Sequence, residues 1–344
     1  MSKPLETADA PSPARYIEAG FEKRLMVTAG RASRELAGRI AEKLDLELID
    51  AGLKTFADGE VYCRYAESVR GADLFIVQSM CGSEHEGLTV NDVLWELLLM
   101  VHAAKHASAH RIIAVTPWYG YSRQDKKSAP REPISARLVA DTLEVAGIDR
   151  LVTMDLHAGQ LQGFFSKPVD HMTAMPILTQ FVIDRLGSEN LVIIAPDAGR
   201  VKLVRKFAQK VGAPYALMEK ERPAQQVAEI GYVIGDVKGK TAVIVDDIIG
   251  TGSTLSAAAQ TVLDEGAERV FAVATHGLFS GDAFQILEEG PLSGIVVTDT
   301  VPLRDGAPDL ITQLTCADVL EDSIRRIFLD DSVSEIFAGE NQLF

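Results

Sequence analysis

Eight short apolar runs, at residues 25–27, 74–77, 112–115, 151–154, 191–194, 242–245, 270–274 and 295–297, confine this chain to one class of fold. Each reads as a buried strand. Between several of them lie segments with helical periodicity, such as residues 134–145 and 255–263. Alternation of this kind predicts parallel sheets covered by helices.

A weak internal repeat sharpens the prediction. The segment from Ser135 to Gly147, followed by Arg150 and a strand, parallels the segment from Thr254 to Gly266, followed by Arg269 and a strand. In both copies a helix stops at a glycine, which tolerates a left-handed cap. Ala29, Gly30 and Arg31 match Ala198, Gly199 and Arg200, each trio placed after a strand and before a helix. Chance likeness between ordinary strand–helix units is the plain alternative. A chain of 344 residues is long for one core and reads as two domains. We expect a loose leader over residues 1–20, a first domain over 21–165 and a second over 166–344. The join falls near residues 165–176, and the C-terminal end is expected to pack back on the first domain.

Composition narrows the function. A formal charge of −15 opposes broad binding of nucleic acid or anionic membrane, because the long-range field repels phosphate. A small anionic substrate is still admissible where amides, a few cations and a divalent ion gather. Cys63, Cys81 and Cys316 lack metal-ligand spacing and suit a reducing compartment, the cytoplasm. No run is long enough to span a membrane.

Ligands of such sheets bind beyond the carboxyl ends of the strands. Run 242–245 ends in Asp246 and Asp247, and Gly250, Thr251, Gly252, Ser253 and Thr254 precede the next helix. Small residues let amides close on a phosphate, hydroxyls add donors, and a helix N-terminus favours negative charge. The acids repel phosphate and should face hydroxyls or a metal. A sugar phosphate satisfies both ends. The bland alternative is a hydroxyl-capped strand–turn–helix.

Four other segments add chemistry. Phe56 offers a stacking face, and Asp58 and Glu60 around Gly59 can accept from an adenine amino group or a ribose. Residues 119–127, with Arg123 and Gln124, concentrate cations as polyphosphate binding needs. His157 and Asp197 each follow a strand, and such a pair can share a magnesium ion otherwise ligated by water and phosphate. Lys220 and Arg222 open a polar stretch, 224–229, that reads as a mobile loop able to close on a transferring diphosphate. Alone, these segments read as a turn, a basic loop, a structural histidine with a turn aspartate, and a charged surface loop.

Together the five segments resemble the ribose-phosphate diphosphokinases, also called phosphoribosyl diphosphate synthetases, from about Arg24 to the end. The resemblance implies an α/β protein of two related phosphoribosyltransferase-like domains, each a mostly parallel sheet flanked by helices. It implies transfer of the β,γ-diphosphate of Mg-ATP to the 1-hydroxyl of ribose 5-phosphate, giving phosphoribosyl diphosphate and AMP. Phe56, Asp58, Gly59 and Glu60 then bind adenine in a neighbouring subunit's site, which implies a homo-oligomer, commonly a hexamer of dimers. Arg123 and Gln124 contact ATP, and His157 and Asp197 hold Mg2+. Lys220 is catalytic with Arg222 its partner. Asp246, Asp247, Gly250, Thr251, Gly252, Ser253 and Thr254, with Arg222, hold ribose 5-phosphate. The chain departs from the family at Gly250, often Asp, at the longer stretch 80–89, and at Glu221, often basic. A transferase that consumes phosphoribosyl diphosphate and an inactive regulatory relative remain as alternatives.

Overall fold

The computed structural model describes residues 23–221 and 230–337. The expected leader, Arg222 and the expected loop at 224–229 lie outside the described residues. In chain order the strands are β1 (Arg24–Ala29), β2 (Lys54–Thr55), β3 (Val61–Tyr62), β4 (Ala72–Val77), β5 (Arg111–Thr116), β6 (Arg150–Met154), β7 (Val169–Met172), β8 (Leu191–Ala195), β9 (Tyr215–Glu221), β10 (Ile230–Ile234), β11 (Thr241–Ile249), β12 (Arg269–Gly277), β13 (Gly294–Thr298) and β14 (Ile311–Leu314). The helices are α1 (Arg34–Lys43), α2 (Val90–His106), α3 (Ser135–Ala146), α4 (Met175–Leu186), α5 (Val201–Val211), α6 (Ser253–Asp264), α7 (Ala283–Glu288) and α8 (Ala317–Leu329). Every apolar run of the sequence falls in a strand.

Two sheets carry the fold. The first, ordered β1-β4-β5-β6-β7, is parallel throughout and continues to Met172, within the joining segment read from the sequence. The second, ordered β10-β9-β8-β11-β12-β13-β14, is parallel except for the β9–β10 hairpin at its edge. The repeat is real in structure. Helix α3 ends at Gly147 with φ 122° and leads to β6, and α6 is followed by Gly266 with φ 95° and leads to β12.

Side-chain alternation along the strands builds the layers. Phe75 and Val77 of β4 point into one core, while Leu74 and Ile76 point into another under α2 and α3. In β11, Val243 and Val245 enter that same first core, and Ala242 and Ile244 face α6. Both sheets therefore bury one face in a shared central layer, filled by Leu36 and Ile40 of α1, Leu178 of α4, Phe207 of α5 and Leu320 and Ile324 of α8. Helix α8 lies against α1, and Lys43 Nζ meets Asp318 Oδ1 at 2.5 Å. Asp299, nearly buried, takes Arg39 at 2.7 Å and the Cys316 amide at 2.7 Å. No described helix is long and apolar enough to cross a membrane.

A shared layer predicts that the halves unfold together. Leu320 is fully buried there, so Leu320→Ala should cost about 2–5 kcal/mol through lost transfer energy and a cavity. Both tryptophans, Trp95 and Trp118, sit in the first half, whereas circular dichroism sees the whole chain. Denaturation curves by the two probes are expected to coincide and to shift together in the variant. Separate midpoints would contradict a common core.

Candidate active site

Three strand ends bring the polar residues together. β6 ends at Met154, and Asp155 follows with φ 34°, a left-handed turn that redirects the chain toward His157. β8 ends at Ala195, and Asp197 caps a tight turn, its Oδ1 accepting from the Gly199 amide at 2.8 Å and the Arg200 amide at 3.2 Å. β11 runs on past the apolar run, so Asp246 and Asp247 lie within the strand on opposite faces. Arg200 joins the three. Its Nε lies 2.9 Å from Asp246 Oδ1 and its Nη2 2.7 Å from Asp247 Oδ1.

His157 closes the cluster from the first half. Its Nδ1 lies 2.7 Å from Asp247 Oδ2 and 3.0 Å from Arg200 Nη2. A carboxylate only accepts, so the shorter contact makes Nδ1 the protonated nitrogen, donating to Asp247. A guanidinium only donates, so its approach to that nitrogen is then a packing contact, and Nε2 has no hydrogen-bond partner among the described residues. Burial pushes Asp247 upward, but the His157 hydrogen bond and the Arg200 charge outweigh it and hold this acid at about 2. Burial and then the neighbouring Asp247 charge push Asp246 well above the carboxylate range, against Arg200. Asp247 thus carries the negative charge, and Asp246 is the member that gains a proton first.

A cavity of about 330 Å³ opens beside Asp246, which lines it with Gly250, Thr251, Gly252, Thr254 and Arg123 among others. Gly252 starts α6 with φ 77°, and a Cβ there would also meet Leu287 Cγ at 2.8 Å, so this turn requires glycine. Thr251 and Ser253 hydroxyls lie 3.1 Å apart at the rim. A side chain at Gly250 would have room, its Cβ 3.7 Å from Arg123 Nη1. Arg123 and Gln124 also line a second cavity of about 620 Å³ between the halves. Gln124 Oε1 accepts from the hydroxyl of Ser135, the first residue of α3, at 2.6 Å.

Other sequence expectations fall elsewhere. Phe56, Asp58, Gly59 and Glu60 form the β2–β3 turn, with Phe56 45% exposed and lining neither cavity. Lys54 Nζ sits 5.1 Å from the Phe56 ring, so this turn already favours a cation on its face. The backbone of Lys220 lies in β9, opposite Gly231. His157 and Asp197 flank Arg200, but the carboxylate that His157 meets is Asp247. Among the described residues no three metal-ligating side chains converge. The set still fits magnesium, which takes few protein ligands and keeps water and phosphate oxygens. Asp197 Oδ2 accepts no hydrogen bond among the described residues, leaving a hard oxygen available.

Sequence reasoning missed what lies behind the site. Asp155 Oδ2 accepts from the Thr275 hydroxyl at 2.6 Å and the Ala174 amide at 2.9 Å. His276 is fully buried, with Nε2 3.2 Å from the carbonyls of both Met154 and Asp155, so Nε2 donates. Its Nδ1 then accepts from the Thr300 hydroxyl at 2.8 Å. The Leu156 amide donates to His171 Nε2 at 2.8 Å. β12 of the second half thereby holds the turn that carries His157 in the first.

Residues 25–147 match the family model for the N-terminal domain of ribose phosphate pyrophosphokinase, and residues 209–338 match that of the phosphoribosyl synthetase-associated domain. The chain is 46% identical over 320 residues to the ribose-phosphate pyrophosphokinase of Caldanaerobacter subterraneus subsp. tengcongensis, covering 93% of this chain and 99% of that one. It is 43% identical to the enzyme of the same name from Clostridium perfringens, covering 92% and 98%. The crystal structure of phosphoribosylpyrophosphate synthetase from Mycobacterium smegmatis superposes with a TM-score of 0.83 at 42% identity, covering 89% of this chain and 99% of that one.

The buried imidazoles give a pH dependence with a definite sign. Burial, aided by His276, holds His171 down at about 4 against the Asp155 charge, and burial holds His276 down as well. The unfolded chain binds these protons near the ordinary imidazole value of 6.5, while the folded chain refuses them. The His171 share of this stabilisation is therefore complete above pH 6.5 and is lost as pH falls toward about 4. Urea midpoints should drop over that window, and His171→Gln should flatten the fall. An unchanged slope in the variant would remove His171 from the acid response.

Proposed function

The chain belongs to the ribose-phosphate pyrophosphokinase family, and from that premise we propose how its residues divide the transfer of diphosphate from ATP to ribose 5-phosphate. The products are 5-phosphoribosyl 1-diphosphate and AMP. The observation that carries this reading is the junction of two acids, one guanidinium and one imidazole beside the small-residue turn before α6.

The 5-phosphate sits against the amides of Gly250, Thr251, Gly252, Ser253 and Thr254, where the N-terminus of α6 adds positive potential. The ribose hydroxyls turn to Asp246 and Asp247, the reverse orientation being opposed by charge. Arg200 holds both carboxylates at fixed positions, so the sugar meets acceptors already in place. ATP approaches from the side of Arg123 and Gln124, since Arg123 borders both cavities. Its guanidinium can contact phosphates without leaving the sugar site.

Magnesium, when bound, neutralises phosphate oxygens and polarises the group under attack. Asp197 and His157, through Nε2, would hold it together with water and the nucleotide. The 1-hydroxyl attacks the β-phosphorus, the bond to the α-phosphate oxygen breaks, and AMP leaves. Lys220 and Arg222 answer the charge that builds on the transferring group. The hairpin tip with Phe56, Asp58, Gly59 and Glu60 serves the adenine of a neighbouring subunit, in a homo-oligomer we take to be a hexamer. The exposure of Phe56 and the absence of these four residues from the lining of both cavities support that assignment.

Pure protein with ATP, magnesium and ribose 5-phosphate is expected to form AMP only when all three are present. Diphosphate release that needs a nucleobase and no ATP would contradict the reading. Lys220→Ala should lower turnover about 100-fold or more while the thermal midpoint stays put. Near-normal turnover would remove Lys220 from the chemistry. Arg200→Lys keeps the charge but loses the fork, so it should raise the KM for ribose 5-phosphate about tenfold and change that for ATP far less.

A further inference from the structure

Helix α2 presents His102 and His106 on its exposed face, with ring centroids 4.3 Å apart and Nε2 atoms 3.2 Å apart. Neither residue takes part in the site described above. We propose that these two imidazoles form a chelating site for a borderline transition-metal cation of the zinc, nickel or copper(II) class, separate from the magnesium chemistry.

The spacing is what a chelate needs. Two nitrogens each about 2.05 Å from one metal and 3.2 Å from each other subtend an angle of about 100° at it. That value lies between square-planar and tetrahedral geometry, so either preference is met with a small side-chain adjustment. The helix supplies the preorganisation. Residues one turn apart share a face, and the backbone here is fixed from below by Val93, Leu97, Met100, Val101 and Ala104, all buried in the first half. Its N-terminus is closed by the reciprocal Thr89–Asp92 cap. The metal would not have to order the helix in order to bind.

The donor set also fixes the class of cation. Imidazole suits zinc, nickel and copper, whereas magnesium and calcium take oxygen ligands. No third histidine, cysteine or carboxylate completes the site among the described residues, so water would fill the remaining positions. That arrangement leaves the ion exchangeable rather than structural.

Copper(II) is the probe, because its paramagnetic spectrum reports the nitrogens bound to it. Protein stripped with a chelator and returned to magnesium buffer would receive one equivalent of copper(II). The expected spectrum shows coupling to two imidazole nitrogens. His102→Asn and His106→Asn should each weaken binding at least tenfold in competition with glycine. Both rings are exposed, so folding and ATP-dependent AMP formation in magnesium should match the parent protein. Copper held with parental affinity by both variants, whether at His157 or at Cys63, would overturn the proposal. So would the absence of the two-nitrogen signature in the parent protein.

Discussion

Two adjacent carboxylates at the end of a buried strand repel each other and resist leaving water. Everything at this site depends on the guanidinium that answers them. Arg200 touches Asp246 and Asp247 together, and His157 adds a proton donor to the second acid. Three strand ends from two halves must meet for this to happen. They meet because both sheets bury a face in one layer, which fixes β6 against β11 and β12. The cross-links from Thr275 and His276 to the Asp155 turn then set the imidazole. Global packing thus decides a local charge balance.

The internal repeat shows how one device was turned to two uses. Arg31 and Arg200 occupy matching positions, each after the first long strand of its half and each in a tight turn before a helix. Both answer acids. Arg31 Nε meets Glu96 Oε1 at 2.5 Å, and Glu96 is fully buried and also accepts from Gln78 at 3.0 Å. In the first half the acid lies on α2, so the pair closes on itself and anchors the β2–β3 hairpin through Thr55 at 2.7 Å. In the second half the acids stand in the last part of β11, and Asp246 lines an open cavity. The same guanidinium serves structure in one place and a substrate site in the other.

Buried parallel strands and the turn before α6 were legible in the sequence because both leave compact signatures. Strands that interleave polar residues were not. β7 reads Val-Asp-His-Met, since an edge strand needs no continuous apolar run, and Asp170 there pairs with Arg150 at 2.7 Å. β9 hides Ala216 and Met218 among exposed Tyr215 and Glu219, an alternation too short to separate from a polar loop. The acid pair and the glycines were found by type and spacing. The role of Arg200 was not, although it stood in the repeat, because pairing across strand ends has no spacing in sequence. Matching His157 with Asp197 by their places after strands overlooked Asp247, which only the sheet order brings into reach.

The central claim is that a pentose phosphate lies with its ester group in the turn before α6 and its hydroxyls on the acids that Arg200 holds. A crystal structure with ribose 5-phosphate tests it most directly. The account predicts the phosphate oxygens accepting from the Thr251 to Thr254 amides and ring hydroxyls on Asp246 or Asp247. A sugar bound instead in the cavity between Glu84, Tyr121 and Arg304, with the acids untouched, would contradict it.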